Sequence, residues 1–109
     1  MDEEYQEQVL DLVAAIPAGR VMTYGTLAEV LRDRLGRGGP RKVGQVMARY
    51  GGGVPWWRVV NASGQPPAPY RERALALLRG EQCPLTTSDA AARVVLSRAL
   101  WWPDSPAQM

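Results

Sequence analysis

The stretch Thr23–Tyr50, "TYGTLAEVLRDRLGRGGPRKVGQVMARY", decides the fold. Tyr24, Leu27, Ala28, Leu31 and Leu35 recur at helical spacing, which predicts a helix over roughly 24–35. Thr23 suits its N-cap, because a short hydroxyl side chain accepts from the free N–H groups of a first turn. "GRGGP" (36–40) breaks the pattern, and Pro40 suits the start of a second helix, where its missing N–H costs nothing. That helix, roughly 41–50, places Val43, Val46, Met47 and Tyr50 on an inner face. Lys42, Gln45 and Arg49 lie on another face. Arg41, Gly44, Gln45 and Ala48 form a strip in which two members are small. Two short helices joined by a Gly-rich loop, the second presenting polar side chains, resemble a helix-turn-helix.

Working outward, Tyr5, Val9, Leu12, Val13 and Ile16 share one face of a predicted helix over 3–16. Pro17 disfavours helix at Ile16, and Gly19 suits a turn. "VMT" (21–23) is short and extended. On the other side, "GGGVP" (51–55) ends the second helix of the pair, "WRVV" (57–60) reads as a strand and "NASG" (61–64) as a turn. "PPAP" (66–69) is a stiff connector. Residues 71–79 read as a helix, with Ala74, Leu75, Leu77 and Leu78 available for packing. Two readings stay open beyond it. "CPLTT" (83–87) pairs with "RVVLS" (93–97) as a hairpin across "SDAA", which would make the motif a winged variant; or "DAAARVVLSRAL" (89–100) is a short helix. The tail, 103–109, is expected to fray. The expected architecture is one domain over 1–109, mainly α with short β elements.

Composition narrows the function. The 109 residues are enough for one modest core. No apolar run approaches the roughly 18 residues of a membrane span. "MDEEYQEQ" is acidic where a leader would be basic, so a cytoplasmic protein is expected, nucleoid-associated if the source is bacterial. The single Cys83 fits a reducing compartment. The chain has no histidine, which removes the usual general base and a common metal ligand, and neither metal nor cofactor is expected. The net charge of +2 hides an asymmetry. Residues 1–19 hold five acids and no base, whereas 20–79 hold eleven bases and three acids. Twelve of the thirteen bases are arginine, whose planar fork suits phosphates and base edges. Charge alone leaves a nucleic-acid surface and a merely well-solvated one about equally open.

"VPWWRVVNASG" (54–64) is unusual: adjacent tryptophans follow a Gly-rich turn and a proline, a segment that displays side chains rather than burying them. Taken with "IPAGRVMTYGTLAEVL", "RKVGQVM" and "LLRGE", in this order and spacing, it resembles the DNA-binding domain of the O6-alkylguanine-DNA alkyltransferase family over roughly residues 5–81. The resemblance implies the winged helix-turn-helix of that family's C-terminal domain. Where the family carries its alkyl-accepting cysteine, in a Pro-Cys-His-Arg-Val segment, this chain has Pro55-Trp56-Trp57-Arg58-Val59. Trp56 stands for the thiol and Trp57 for its histidine partner. Tryptophan at the cysteine position resembles the alkyltransferase-like proteins, which bind the lesion without repairing it; the second tryptophan departs from most of them.

The chemistry agrees independently. Alkyl acceptance needs a thiolate activated by an oriented base, and an indole is no substitute. Glu81 matches the acidic member of the family's Glu-His-Cys relay but has no histidine to orient. Cys83 lies outside the motif and reads as a small buried residue. Tyr50 stands where the enzymes keep an asparagine that braces the active-site turn.

The resemblance then implies the site. Trp56 offers a flat surface to a flipped guanine, with backbone carbonyls at Trp56 and Val59 for its amino group. Met47, Tyr24 and Arg71 join them around the lesion, Arg71 from the loop 65–71 ("QPPAPYR"). Arg41 is the finger that fills the gap in the duplex, and Tyr24 crowds the target phosphate. Thr23, Gly44, Gln45, Ala48 and Arg49 complete the DNA surface, with the second helix in the minor groove. Trp57 is expected to fill space behind the site, Arg58 to brace the turn and Asn61 to hold the turn after the strand.

The expected protein is a monomeric, non-enzymatic sensor of O6-alkylguanine in duplex DNA that flips the base and flags it for nucleotide excision repair proteins. The rivals are an alkyltransferase with a displaced acceptor, a sequence-specific winged-helix regulator, and an adaptor that uses its tryptophan pairs on another protein.

Overall fold

A computed structural model describes residues 2–103. Helix α1 spans Glu3–Ala15; Asp2 caps it, its carboxylate accepting from the Tyr5 N–H at 3.1 Å. Glu3 and Glu4 in the first turn complement the helix dipole. The helix stops at Ile16, whose extended backbone (ψ 123°) is what a following proline imposes. Strand β1 (Met22–Thr23) leads directly into α2 (Tyr24–Leu35). Thr23 and Thr26 close a reciprocal cap: Thr26 N donates to Thr23 Oγ1 at 3.0 Å, and Thr23 N to Thr26 Oγ1 at 2.8 Å. Helix α3 (Pro40–Tyr50) begins on its proline, as the sequence predicts. Strand β2 is Val59–Val60, α4 is Arg71–Gly80 and α5 is the single turn Leu96–Ala99.

The two strands pair in parallel, Met22 opposite Val59 and Thr23 opposite Val60. A parallel pair needs a long crossover, and here α2 and α3 are that crossover. The helix-turn-helix is therefore tied at both ends to one two-stranded ribbon. Its turn is fixed from beneath by α1. Gly38 has φ 91°, and a side chain there would overlap the Tyr5 ring. Arg37 holds both Asp2 and Glu4, and Lys42 sits over the Tyr5 ring at 4.9 Å.

One face of each of the first three helices makes the main core. Tyr5, Val9, Leu12, Val13 and Ile16 meet Leu27, Ala28, Leu31, Val43 and Val46, with Met22 and Val59 at the edge. Tyr50 departs from its expected inner face: it is 38% exposed, because α3 ends there and the chain turns away.

Both readings of the tail are realised in part. Leu85 and Val94 form one antiparallel bridge, flanked by Thr86 N to Arg93 O at 2.8 Å, so the hairpin holds as a single rung. The helix reading survives only in α5. Trp101 is buried, and Leu100 lies parallel to Val21, with Trp101 N donating to Val21 O at 2.9 Å. Arg20 clamps this segment through the carbonyls of Ala99 and Leu100, at 3.0 and 2.6 Å. Of the tail expected to fray, all but Pro103 lies outside the described residues. No helix among the described residues is long and apolar enough to cross a membrane.

Candidate nucleic-acid interface

Tight turns carry the chain from α3 to β2. Gly51–Gly53 form a 3-10 turn, and Val54 N donates to Gly51 O at 3.3 Å. Pro55 (φ -71°, ψ 71°) makes an inverse γ-turn, with Trp56 N donating to Val54 O at 2.6 Å. A second 3-10 turn, Trp56–Arg58, follows. The expected strand over 57–60 is thus half turn. Only Val59–Val60 are extended, because Arg58 N is drawn back to Pro55 O at 3.0 Å and Val59 N to Trp56 O.

The turn presents Trp56 half-buried, between two aromatic edges. The Trp57 ring lies 5.8 Å away at 87°, and the Tyr70 ring 5.9 Å away at 63°. Tyr70 was missing from the sequence-based site. It is 60% exposed and stands directly before α4. An aromatic that follows a proline connector and has no place in the apolar face of the next helix was the available signal. Arg71, the residue expected here, is half-buried, and its Nε donates to Pro66 O at 3.2 Å, bracing the loop.

Behind the tryptophans lies Glu81, which has no histidine to orient, as expected, but holds Trp57 in that place. Trp57 Nε1 donates to Glu81 Oε2 at 3.0 Å. Arg58 donates to both carboxylate oxygens, at 3.1 and 2.5 Å, and Gly19 N to Oε1 at 3.0 Å. Arg58 also reaches Ile16 O at 2.8 Å, so it braces the turn as expected. Asn61 likewise holds its turn, Oδ1 accepting from Ser63 N and Gln65 N, each at 2.9 Å.

Burial pushes the Glu81 carboxyl up, but the donors on it, Arg58 foremost, outweigh this and hold it below the usual 4.5. Its contribution to stability is therefore complete above about pH 4.5 and is lost as pH falls through the lower folded value. Glu81→Gln should remove that part of the acid slope in a series of thermal midpoints taken from pH 7 downward. Asp2, held low by Arg37, and Asp89, held low by the Thr87 hydroxyl, would keep the rest. An unchanged acid slope would show that Glu81 is not ionised in the way its partners imply.

The other expected site residues divide by where they point. Arg41, Gln45, Ala48 and Arg49 are exposed along α3, and Gly44 opens the same face, with nothing within 4 Å of where a Cβ would stand. Arg41 and Arg49 have no hydrogen bond or ion pair among the described residues. Most other cations of 20–79 are committed: Arg20, Arg32, Arg37, Arg58, Arg71 and Arg79 each donate to a carbonyl or carboxylate. The positive excess in the sequence thus resolves largely into braces, with free arginines among the described residues at Arg41 and Arg49 on α3 and at Arg73 on α4. Tyr24 is half-buried, and burial pushes its phenol up. Met47 is half-buried beneath Gly51. Val59 is buried in the core, so only its backbone is open to a pocket role. Thr23 is also buried and its hydroxyl is spent on the cap, so the backbone at the start of α2 is what it leaves for a DNA contact. Cys83 is 6% exposed, and burial, then the neighbouring Glu81 charge, pushes its thiol up to about 11. No group of three or more acidic or cysteine side chains that could hold a metal is gathered among the described residues.

Comparison with known proteins places this arrangement. Residues 4–83 match the family model described as 6-O-methylguanine DNA methyltransferase, DNA binding domain. The chain belongs to this family. Within it, the structure of Schizosaccharomyces pombe Atl1 in complex with damaged DNA containing O6-carboxymethylguanine is similar, with a TM-score of 0.75 and 27% identity over 94% of this chain and 99% of Atl1. A second S. pombe ATL–DNA complex gives a TM-score of 0.70 at 31% identity, over 94% of this chain and 98% of that one. The DNA base-flipping proteins of Escherichia coli K12 and Shigella flexneri are each 40% identical over 68 residues, 58% of this chain. The chain spans about half the length of these curated relatives, 48%. The fold is thus that of the family's alkyltransferase-like members, and the wing expected from the sequence is the single-rung hairpin that follows α4.

Proposed function

We propose that this protein is a non-enzymatic sensor of O6-alkylguanine in duplex DNA, which takes the damaged base out of the stack against Trp56 and marks it for nucleotide excision repair. The observation that carries this reading is the Trp56 turn: an indole, held between aromatic edges, occupies the place where the family resemblance puts a nucleophilic thiol. The one thiol of the chain is buried and raised, so it offers almost no thiolate at neutral pH. S. pombe Atl1 bound to DNA containing O6-carboxymethylguanine, and bacterial relatives named as base-flipping proteins, support the same reading.

The chemistry needed is modest. Extruding a base costs a few kcal/mol, and less for a damaged pair. A flat aromatic surface returns roughly 1–3 kcal/mol per base. The free face of α3, with small residues at Gly44 and Ala48, suits close approach to a groove, and Arg41 at its start fills the gap the base leaves. Arg41→Ala should lower affinity for a lesion duplex by about tenfold, the loss of one charge-assisted contact. It should also abolish most of the fluorescence rise of 2-aminopurine at the target position, and an undiminished rise would remove Arg41 from flipping.

Two measurements test the whole reading. A gel-shift titration with one duplex carrying guanine or O6-methylguanine, at fixed salt, should show tighter binding to the lesion; equal binding would sink the sensor. Mass spectrometry of the protein after incubation with the lesion duplex should show no added alkyl group, and a stoichiometric gain would make it an enzyme. For the repair step, excision-repair proteins should collect on lesion DNA only when this protein is present.

A further inference from the structure

We infer that Trp57 is a positioning residue for the lesion pocket: through its hydrogen bond to Glu81 and its edge against Trp56, it sets the plane of the indole that meets the base. The inference rests on the sensor reading above and extends it to a residue that would never touch DNA.

The observations converge on this one ring. Trp57 is anchored on three sides. Its Nε1 donates to Glu81 at 3.0 Å, the Arg58 guanidinium lies 5.4 Å from its ring, and its body packs on the second core cluster of Val21, Val60, Leu78 and Cys83. Glu81 is itself immobilised, since it also holds the backbone of the α1–β1 turn at Gly19 and both forks of Arg58. Trp56 makes no side-chain hydrogen bond among the described residues. It contacts Trp57 at 87°, a near-perpendicular pairing whose energy depends on ring geometry, and its other ring pairing among the described residues is with the exposed Tyr70. The fixed element beside Trp56 is therefore Trp57, and the orientation of the display surface passes from the Glu81 carboxylate through one indole N–H.

The test separates orientation from lesion binding. Protein labelled with 5-fluorotryptophan gives fluorine resonances assignable by single Trp→Phe changes. In Trp57→Phe, which keeps an aromatic body but loses the N–H, the Trp56 resonance of the DNA-free protein should shift or broaden while that of buried Trp101 stays in place. Preference for O6-methylguanine over guanine duplex should fall by about threefold to tenfold, the worth of one hydrogen bond, with affinity for undamaged duplex unchanged. Trp57→His, which returns an N–H donor, should recover part of the preference. A Trp56 resonance that does not move overturns the inference, and so does a moved resonance with full preference retained. Resonances that move together, with a collapsed thermal midpoint and equal losses on both duplexes, assign Trp57 a merely structural role and also overturn it. If the resonance moves but the unaltered protein shows no lesion preference, the orientation stands and the sensor reading fails.

Discussion

Trp56→Ala should cut the preference for O6-methylguanine over guanine in the same duplex by about 5- to 150-fold, and leave affinity for the undamaged duplex within about twofold. The range is the stacking contribution of one base, roughly 1–3 kcal/mol, converted to a ratio. The asymmetry follows from where the residue sits. On the proposed reading, undamaged duplex is held through its phosphates by the outward side of α3, where Arg41 and Arg49 are uncommitted among the described residues. Trp56 lies past the end of that helix, in a turn that an undamaged, stacked base has no reason to enter. On that reading its removal takes the floor from the pocket and nothing from the groove contacts. The fold should tolerate the change, because the ring is only half-buried and its turn is closed by backbone hydrogen bonds through Val54, Pro55 and Val59. Both titrations need the same salt concentration, since the phosphate contribution varies steeply with it. Equal losses on the two duplexes would mean that Trp56 supports general binding and that no base reaches it.

The parts of this molecule that the sequence revealed are those made by neighbours in the chain. The apolar spacing of α1, α2 and α3, the Thr23 cap and Pro40 at the start of α3 are local, and periodicity and cap chemistry report them directly. The parts it hid are made by residues far apart in sequence. Trp57 and Glu81 are 24 positions apart, and Gly19 and Glu81 are 62 apart. No local pattern shows that one carboxylate gathers them. The arginines mislead for the same reason. Eleven bases between residues 20 and 79 read as a binding surface, yet Arg20 serves the C-terminal segment 79 residues on, and Arg58 serves Ile16 and Glu81. Charge counts cannot separate a brace from a contact, and only the partner found in three dimensions can. The strand misread at Trp57–Arg58 has a different origin: β-branched and aromatic residues favour extension, but local backbone hydrogen bonds, Arg58 N to Pro55 O and Val59 N to Trp56 O, curl the segment. The Arg58 side chain adds a long-range pull, toward Ile16 and Glu81.

That pull gives the largest expected effect on the fold itself. Arg58→Ala should destabilise the protein by about 3–5 kcal/mol, the cost of leaving one partner of a buried ion pair without the other. The pair is largely shielded from solvent, each side chain being 16% exposed. Without the guanidinium, Glu81 keeps Gly19 N and Trp57 Nε1 as its donors among the described residues, and the Ile16 carbonyl loses its side-chain donor. A domain of this size has about 5–15 kcal/mol in all, so a large share of its stability rests on one residue. Arg58→Lys should rescue little, because an ammonium cannot reach two carboxylate oxygens and a carbonyl with the geometry of a planar fork. Arg58→Ala combined with Glu81→Ala should be milder than the sum of the two single changes, since the double variant leaves no unpaired charge. Urea unfolding of the four proteins at pH 7 gives the cycle. A loss below about 1 kcal/mol for Arg58→Ala would place the pair among exposed salt bridges. It would then follow that the Trp56 turn is held by backbone hydrogen bonds alone, and that Glu81 can be removed without disturbing the indole in front of it.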